Sequence, residues 1–274
     1  MSTAYAPYFK LEKKDYIATI TLSRPEKFNT IASPFWEALV ELERELINDK
    51  SVRVVVFLAE GKHFSAGTDL DDLKKDRKTM DFGNGRNNYH LYHWQDAYHF
   101  LESFDIPVIV GIHGACFGSA VELAAAADIR IASTDSKYFM GEVKAGMSCD
   151  LGGTTRLTRL LGRSQAMRLL LTGERIDAQE ALRIGLVDKV VPLEELRDTV
   201  METAKTIASM SPFAVMTTKR VVNIASEGGT FAGLAAERIN GSFGSQTNDR
   251  LRAMQGMMTE LKEKVPYAPE FNLD

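Results

Sequence analysis

The first sixty residues alternate between segments with the apolar spacing of strands and of helices. Residues 8–22 carry apolar and polar side chains in turn around a charged centre, which predicts a β-hairpin. Ser33 and Pro34 suit the N-cap and first position of a helix that continues to about Asn48. The β-branched run 52–58 predicts a buried strand. This alternation favours an α/β layered core.

An apolar run at residues 107–112 predicts another strand, which leads into a turn rich in glycine, alanine and serine. A closely packed helix is expected over 118–127, followed by a strand at 129–132. Glu122 is the single carboxylate inside that predicted helix. A strand, a small-residue turn and a helix start offer free backbone N–H groups to an anion. The alternative interpretation is a tight crossover with Glu122 on its solvent face.

Residues 71–90 are polar and charged and predict a helix start followed by a mobile, exposed loop. The next helix is expected over 89–104. Its histidines (His90, His93 and His99) have no carboxylate that completes a convincing metal-ligand set. A helix face that carries histidine is therefore the favoured interpretation.

From Leu193 onward the chain changes from alternating elements to helices alone. The predicted elements are helices at 156–161, 164–171 and 177–184 (ended by Gly185), a strand at 187–191, a helix from Ser211-Pro212 to about Ser226, and, after a break at Gly228-Gly229, helices at 231–243 and 246–264. We therefore expect two domains, a catalytic core over residues 1–200 and a helical region over 201–274.

Composition narrows the function classes. The 274 residues are 45% hydrophobic and 26% charged, as in ordinary globular proteins. A net charge of −4 without a dense Lys/Arg cluster argues against a nucleic-acid partner, and no apolar run reaches the roughly 20 residues of a membrane span. Cys116 and Cys149 form neither a metal nor a disulfide pattern. With no export leader at the N-terminus, these features predict reduced thiols in a cytoplasmic protein.

Candidate chemistry lies in two segments that each follow a predicted strand. The loop 64–70 and the turn before residue 119 are each able to aim a backbone N–H, from Thr68 and from Ser119, at one oxygen atom. Two such donors stabilise a developing oxyanion. General acid/base groups would come from three acids, whose apolar surroundings favour raised pKa values: Glu122, Glu142 and Asp150. No Ser–His–Asp set, P-loop or dinucleotide fingerprint competes with this interpretation.

Four segments in register resemble the crotonase superfamily, the enoyl-CoA hydratase/isomerase fold: Arg24-Pro-Glu-Lys-Phe-Asn29, Phe64-Ser-Ala-Gly-Thr-Asp-Leu70, the block 111–130, and Leu151-Gly-Gly-Thr-Thr-Arg-Leu157. The resemblance implies an α/β fold, a crotonase-like repeated ββα spiral core followed by a C-terminal helical trimerisation region. It implies acyl-CoA substrates, an enolate held by the N–H groups of Thr68 and Ser119, and homotrimers or dimers of trimers. No cofactor is implied beyond the CoA of the substrate. The CoA-binding positions it implies are Lys27, Ala66, Gly67, Asp69, Leu70 and Gly118.

The acids of this chain combine two patterns of that superfamily. The glutamate pair of enoyl-CoA hydratases matches Glu122 and Glu142. Dienoyl-CoA isomerases are similar at Glu142 and at Asp150, although they normally carry an aspartate at the position of Glu122. In them the glutamate removes a proton beside the thioester and the aspartate delivers one to the far end of the diene. A helix N-cap is the structural alternative for Asp150.

The resemblance therefore favours isomerisation of 3,5-dienoyl-CoA to 2,4-dienoyl-CoA. Hydration of 2-trans-enoyl-CoA to 3-hydroxyacyl-CoA is the alternative, and decarboxylation, thioester hydrolysis and dehalogenation occur in the same superfamily. A non-catalytic CoA- or RNA-binding homologue is the alternative of another class. Ser119 and Ala120 stand where many members have glycine, which predicts a narrower pocket. The atypical segment 71–90 is expected to shape that pocket.

Overall fold

The computed structural model describes residues 5, 7–72, 88–244 and 250–257. The strands are β1 (Phe9–Lys14), β2 (Ile17–Leu22), β3 (Val54–Ala59), β4 (Val108–Ile112), β5 (Ala115–Phe117), β6 (Ile129–Ser133), β7 (Lys137–Phe139), β8 (Arg175–Asp177) and β9 (Lys189–Val191). The helices are α1 (Ser33–Ile47), α2 (Asn88–Ser103), α3 (Ser119–Ala125), α4 (Gly153–Thr172), α5 (Ala178–Ile184), α6 (Leu193–Ser209) and α7 (Pro212–Gly244). The chain divides into two compact units, residues 1–207 and 208–274.

The first unit is built on a sheet of six strands in the order β1-β2-β3-β4-β6-β9. The predicted hairpin forms its antiparallel edge, with Phe9 opposite Leu22, and the remaining neighbours pair in parallel. The predicted strand in the run 52–58 becomes β3, whose side chains from Val54 to Leu58 are at most 5% exposed. Such a continuous apolar run is typical of a parallel strand covered on both faces.

A second sheet of three short strands, in the order β5-β7-β8, was missed by the sequence analysis. Residues 113–117 were expected to form part of a turn, which is wrong for Ala115–Phe117, because these residues pair in parallel with Lys137–Phe139. Three residues are too few for an alternating pattern to stand out, so only their partners reveal such strands.

Helix α1 begins at Ser33, one position earlier than predicted. Ala32 is the N-cap residue, and Ser33 is already the first helical residue. The backbone N–H and the hydroxyl of Ser33 donate to Oδ2 of Asp72, at 2.7 and 2.9 Å. The prediction of a Ser33 cap is therefore wrong, because the carboxylate of Asp72, which lies in a later helical turn, satisfies the helix start.

Three predicted helix breaks are confirmed, each at a glycine with positive φ. Gly162 interrupts α4 at φ 74°, Gly185 ends α5 at φ 83°, and Gly229 interrupts α7 at φ 73°. Residues 250–257 are helical, as predicted for 246–264. The expected exposed loop within 71–90 falls mainly on residues 73–87, which lie outside the described residues.

The second unit, in its described part, presents many apolar side chains to solvent. Phe231 is 85% exposed, Phe243 63%, and Val222 and Ile239 59% each. A helix long and apolar enough to cross a bilayer is not found among the described residues of the chain.

Candidate active site

The two candidate segments are joined edge to edge by a short parallel bridge. The N–H of Ser65 donates to the carbonyl of Ala115 at 3.0 Å, and the N–H of Phe117 donates to the carbonyl of Ser65 at 3.1 Å. Three residues further along each segment, the hydroxyl of Thr68 donates to the hydroxyl of Ser119 at 2.9 Å. The register of one bridge therefore brings Thr68 and Ser119 together.

Glycines allow the backbones to approach this closely. Gly67 has φ +87°, and a Cβ placed there would lie 2.4 Å from the carbonyl oxygen of Phe117 and 3.6 Å from the nitrogen of Ser119. Gly118 has φ +51°, and a Cβ there would lie 3.0 Å from Oε1 of Glu142. Any larger residue at position 67 would push the two segments apart.

The backbone N–H groups of Thr68 and Ser119 have no protein acceptor among the described residues. Ile31 bridges to Thr68 by bonding the residues on either side of it, Gly67 and Asp69, which leaves the Thr68 N–H on the opposite side. Ser119 is the first residue of α3, so its N–H has no carbonyl one helical turn before it. Two unused donors thus lie on neighbouring backbones.

Glu122 is buried, at 2% exposure, and its position is set by the backbone of another segment. Its Oε1 accepts the N–H of Gly153 at 2.9 Å and the N–H of Leu151 at 3.2 Å. Burial raises the pKa of Glu122 to about 7; the two N–H groups oppose the shift, and the charges of Glu142 and Asp150 add to it. The alternative of a solvent-facing Glu122 is wrong.

Glu142 lies at the start of a short 3-10 turn, Glu142–Ala145, and is half-buried. Its Oε2 is buried and has no hydrogen-bond partner among the described residues. Burial raises the pKa of Glu142, and the charge of Asp150 raises it further. Hydrogen bonds from its own backbone and from the Cys149 thiol lower the pKa by a smaller amount. This carboxylate has an oxygen available to a substrate.

Asp150 is exposed when the whole residue is considered, but its carboxyl group is partly buried. This burial raises the pKa of Asp150, and a hydrogen bond from its own backbone opposes the rise. Its carbonyl oxygen accepts from Nε2 of Gln95 at 2.5 Å. The alternative that Asp150 caps the next helix is wrong, because Gly152 is the N-cap residue of α4. The charges of Glu142 and Asp150 both act on Glu122, so the three predicted acids lie near one another.

Known proteins are similar to this chain in sequence and in fold. The chain matches the sequence profile of the enoyl-CoA hydratase/isomerase family over residues 12–267. It is 35% identical over 255 residues to the short-chain-enoyl-CoA hydratase of Clostridium acetobutylicum, across 92% of this chain and 95% of that one. This chain belongs to the enoyl-CoA hydratase/isomerase family.

Relatives named as hydratases and relatives named as dienoyl-CoA isomerases both match this family member. It is 33% identical over 228 residues to the mitochondrial Delta(3,5)-Delta(2,4)-dienoyl-CoA isomerase of Dictyostelium discoideum, across 80% of this chain and 78% of that one. The crystal structure of an enoyl-CoA hydratase from Bacillus anthracis superposes with a TM-score of 0.85 at 29% identity, covering 92% of this chain and 96% of that one. The predicted crotonase fold, with its α/β core and helical C-terminal region, is confirmed, and the chain is an enzyme of the crotonase type.

Of the predicted CoA-binding positions, four lie where the segments meet and two lie on the surface. Ala66 donates its N–H to the carbonyl of Phe28 at 3.0 Å, which joins the loop 64–70 to the loop 24–30. Asp69 accepts from the Thr30 hydroxyl at 3.1 Å. Gly67 and Gly118 line the junction described above. The surface positions are Lys27 and Leu70, the latter 68% exposed.

Arg156 supports the site, and the sequence analysis gave it no role. This side chain is 6% exposed; its Nη1 donates to the carbonyl of Leu151 at 2.9 Å and its Nε to Oε2 of Glu102 at 3.0 Å. It thereby holds the backbone that donates to Glu122. Its position inside the Leu151–Leu157 motif was the available signal.

Potential metal ligands do not gather in the described part of the chain, where no group of three His, Cys, Asp or Glu residues forms a metal site. The side chain of His90 lies outside the described residues. Cys116 is buried and Cys149 half-buried, and both are free thiols.

Proposed function

We propose that this enzyme acts on unsaturated acyl-CoA thioesters through an enolate, with 3,5-dienoyl-CoA to 2,4-dienoyl-CoA isomerisation as its main reaction. The proposal is carried by Glu142, whose buried Oε2 has no partner among the described residues and whose Oε1 lies close to Gly118, next to the two unused N–H groups. A base next to preorganised donors is the arrangement that α-proton abstraction requires. We propose no cofactor beyond the CoA of the substrate.

In this reaction Glu142 removes a proton from C2 of the bound dienoyl thioester. The electrons move to the thioester oxygen, which accepts hydrogen bonds from the N–H groups of Thr68 and Ser119. As the enolate collapses, Asp150 delivers a proton to C6, and the double bonds shift from positions 3 and 5 to positions 2 and 4. Burial raises the pKa of Asp150, and a raised pKa is the direction that a proton-donating carboxyl group needs.

Hydration of a 2-trans-enoyl-CoA is the second candidate, and Glu122 favours it. Its pKa of about 7 and its proximity to the charge of Glu142 are suited to a pair of glutamates that hold and activate one water molecule. A water oxygen would add at C3 and a proton at C2, giving the 3-hydroxyacyl-CoA. The relative from Clostridium acetobutylicum is named as a hydratase, which supports the same candidate.

The test is to supply the purified protein with a 3,5-dienoyl-CoA and, separately, with a 2-trans-enoyl-CoA. We expect gain of the absorbance of a conjugated 2,4-dienoyl thioester with the first substrate, at a higher kcat/KM than loss of the enoyl thioester with the second. Faster hydration would make the second candidate the main reaction. Turnover of neither substrate, together with binding of CoA or of RNA, would support a non-catalytic homologue.

We further propose that the helical region over residues 201–274 mediates assembly into a homotrimer or a dimer of trimers. The large exposed apolar side chains of α7 support this, since such area is usually covered in an assembly. Analytical ultracentrifugation should give three or six copies of the 30.4 kDa chain. A monomer at micromolar concentration would contradict the proposal.

A further inference from the structure

The two segments that carry the proposed oxyanion donors share no backbone hydrogen bond, among the described residues, beyond the bridge at Ser65. After that bridge the carbonyl of Gly67 accepts the N–H of Ile31 at 2.9 Å, while the N–H of Gly118 donates to the carbonyl of Phe139 at 2.8 Å. Each backbone is therefore bonded to a different neighbour at the point where its unused N–H has to share one oxygen with the other.

A side-chain hydrogen bond links the two segments at this point. The hydroxyl of Thr68 donates to the hydroxyl of Ser119 at 2.9 Å. Thr68 is half-buried and Ser119 is 2% exposed, so water competes little for this bond. The same two residues carry the unused backbone N–H groups. The bond therefore connects the two proposed donors directly.

The Tyr98 hydroxyl holds Ser119 from the side of the core. Tyr98, in α2, is fully buried, and its hydroxyl forms hydrogen bonds with the side chains of Ser119 and Trp36. Burial raises the pKa of this hydroxyl, so it keeps the hydrogen that it donates. Trp36 in turn stacks on Trp94, with ring centroids 4.5 Å apart. The hydroxyls of Thr68, Ser119 and Tyr98 thus form one hydroxyl chain, which ends on packed aromatic rings of α1 and α2.

The position of the donors matters more to the proposed reaction than it would to simple binding. Oxyanion donors act when they lie about 2.7–3.1 Å from the oxygen that becomes charged, and a displacement of about 1 Å is able to cost about 100-fold in rate. A glycine at position 119, which many members of the family carry, would supply the N–H but no hydroxyl. The hydroxyl chain therefore depends on the side chains of this sequence.

We propose that the side chains of Thr68, Ser119 and Tyr98 are positioning residues, whose hydroxyl chain holds the two backbone N–H groups at the separation that one enolate oxygen requires. The inference rests on the proposed function, because it takes these N–H groups as the oxyanion donors. The hydroxyls act through the backbone and need no contact with the substrate.

The test measures binding of a 3-ketoacyl-CoA to the full-length protein. This ligand loses the proton on C2 to the solvent and becomes an enolate, whose absorbance differs from that of the keto form. A saturated acyl-CoA of the same length is the reference ligand, since it forms no such enolate. In the wild type we expect a larger fraction of enolate in the bound ligand than in the free ligand at the same pH.

Thr68→Val removes the first hydroxyl of the chain and keeps the shape of the side chain and the backbone N–H. Enolate binding should weaken about tenfold, because the donors are less well placed, while binding of the saturated ligand should change by less than about twofold. Thr68→Ser restores a hydroxyl and should recover most of the loss. Thr21→Val, at a half-buried position of β2, is the matched control and should bind both ligands as the wild type does.

A double-mutant cycle tests whether Tyr98 acts through Ser119. Tyr98→Phe alone should weaken enolate binding about threefold, and it should have no further effect when Ser119→Ala is already present. Tyr92→Phe, on the same helix and 62% exposed in the wild type, is the control for the loss of a tyrosine hydroxyl. Equal losses with and without Ser119→Ala would overturn the role of Tyr98.

The results separate this inference from the proposed function. Enolate binding that is unchanged in Thr68→Val, or equal losses for the enolate and for the saturated ligand, would overturn the hydroxyl chain and leave the proposed function intact. Absence of any gain in enolate with the wild type would contradict the oxyanion donors themselves, and both proposals would fall.

Discussion

Glu122 and Glu142 are two glutamates of one site in opposite surroundings. Glu122 stands on a helix at 2% exposure, and one of its oxygens accepts two backbone N–H groups. Glu142 begins a short 3-10 turn, and one of its buried oxygens has no partner among the described residues. Burial raises both pKa values, but in Glu142 one oxygen, Oε1, lies close to Gly118 and the other, Oε2, has no partner among the described residues. The comparison suggests a fixed acid beside an acid that is free to react.

The largest effect should come from Glu142→Gln, which keeps the size of the side chain and removes the base. Turnover of either substrate should fall by about 10²- to 10⁴-fold, the usual contribution of a general base. Steady-state kinetics measures this, with Glu41→Gln on an exposed position of α1 as the control. Near-normal rates in Glu142→Gln would remove the difference between the two glutamates.

The pKa of Glu122, about 7, predicts how stability depends on pH. Below about pH 4.5 the group is protonated in both the folded and the unfolded chain and contributes nothing. Between about pH 4.5 and 7 the unfolded chain loses this proton more readily, so the folded state loses about 3 kcal/mol as pH rises, at 1.36 kcal/mol per pKa unit. Denaturant unfolding across this range measures the loss.

Glu122→Gln is the comparison protein for that measurement, since its amide oxygen is still able to accept from Leu151 and Gly153. The difference in unfolding free energy between the variant and the wild type should move in favour of the variant as pH rises to 7, and stay constant above it. A difference independent of pH would show that Glu122 is ionised as readily in the fold as in water.

Asp150→Asn tests the third acid, which is the most exposed of the set. Isomerisation should fall by about 100-fold because the proton for C6 is lost, while any hydration should change by less than about threefold. Both rates are measured on one preparation. If the variant instead melts at a lower temperature and isomerises normally, Asp150 has a structural role.

Gly153→Ala should have the smallest of these effects, through the anchor of Glu122. The added Cβ would lie 2.7 Å from Oε1 of Glu122 and displace it, which should cost about 1–2 kcal/mol of unfolding free energy. In Gly241→Ala, on α7, the added Cβ would have no other atom within 4 Å, so this variant should be neutral or slightly stabilising. Chemical denaturation compares the two variants, and equal stabilities would argue against a tight anchor.

Local patterns were sufficient for elements long enough to show a period or a glycine break. The hairpin, β3 and the interruptions at Gly162 and Gly229 belong to this class. The cap of α1 was predicted wrongly because its acceptor, Asp72, comes from 39 positions further along the chain. The strand β5 was missed because its three residues pair with Lys137–Phe139.

The sequence by itself determined the family, the α/β core and the set of three acids, because these depend on residue types in order. The tertiary structure decided which donors and acids meet: Thr68 reaches Ser119 across 51 positions, and Gly153 reaches Glu122 across 31. It also decided that Glu122 is buried, at 2% exposure. Hydrogen bonds and burial depend on distances in space, and residues so far apart in the chain leave no local pattern for those distances.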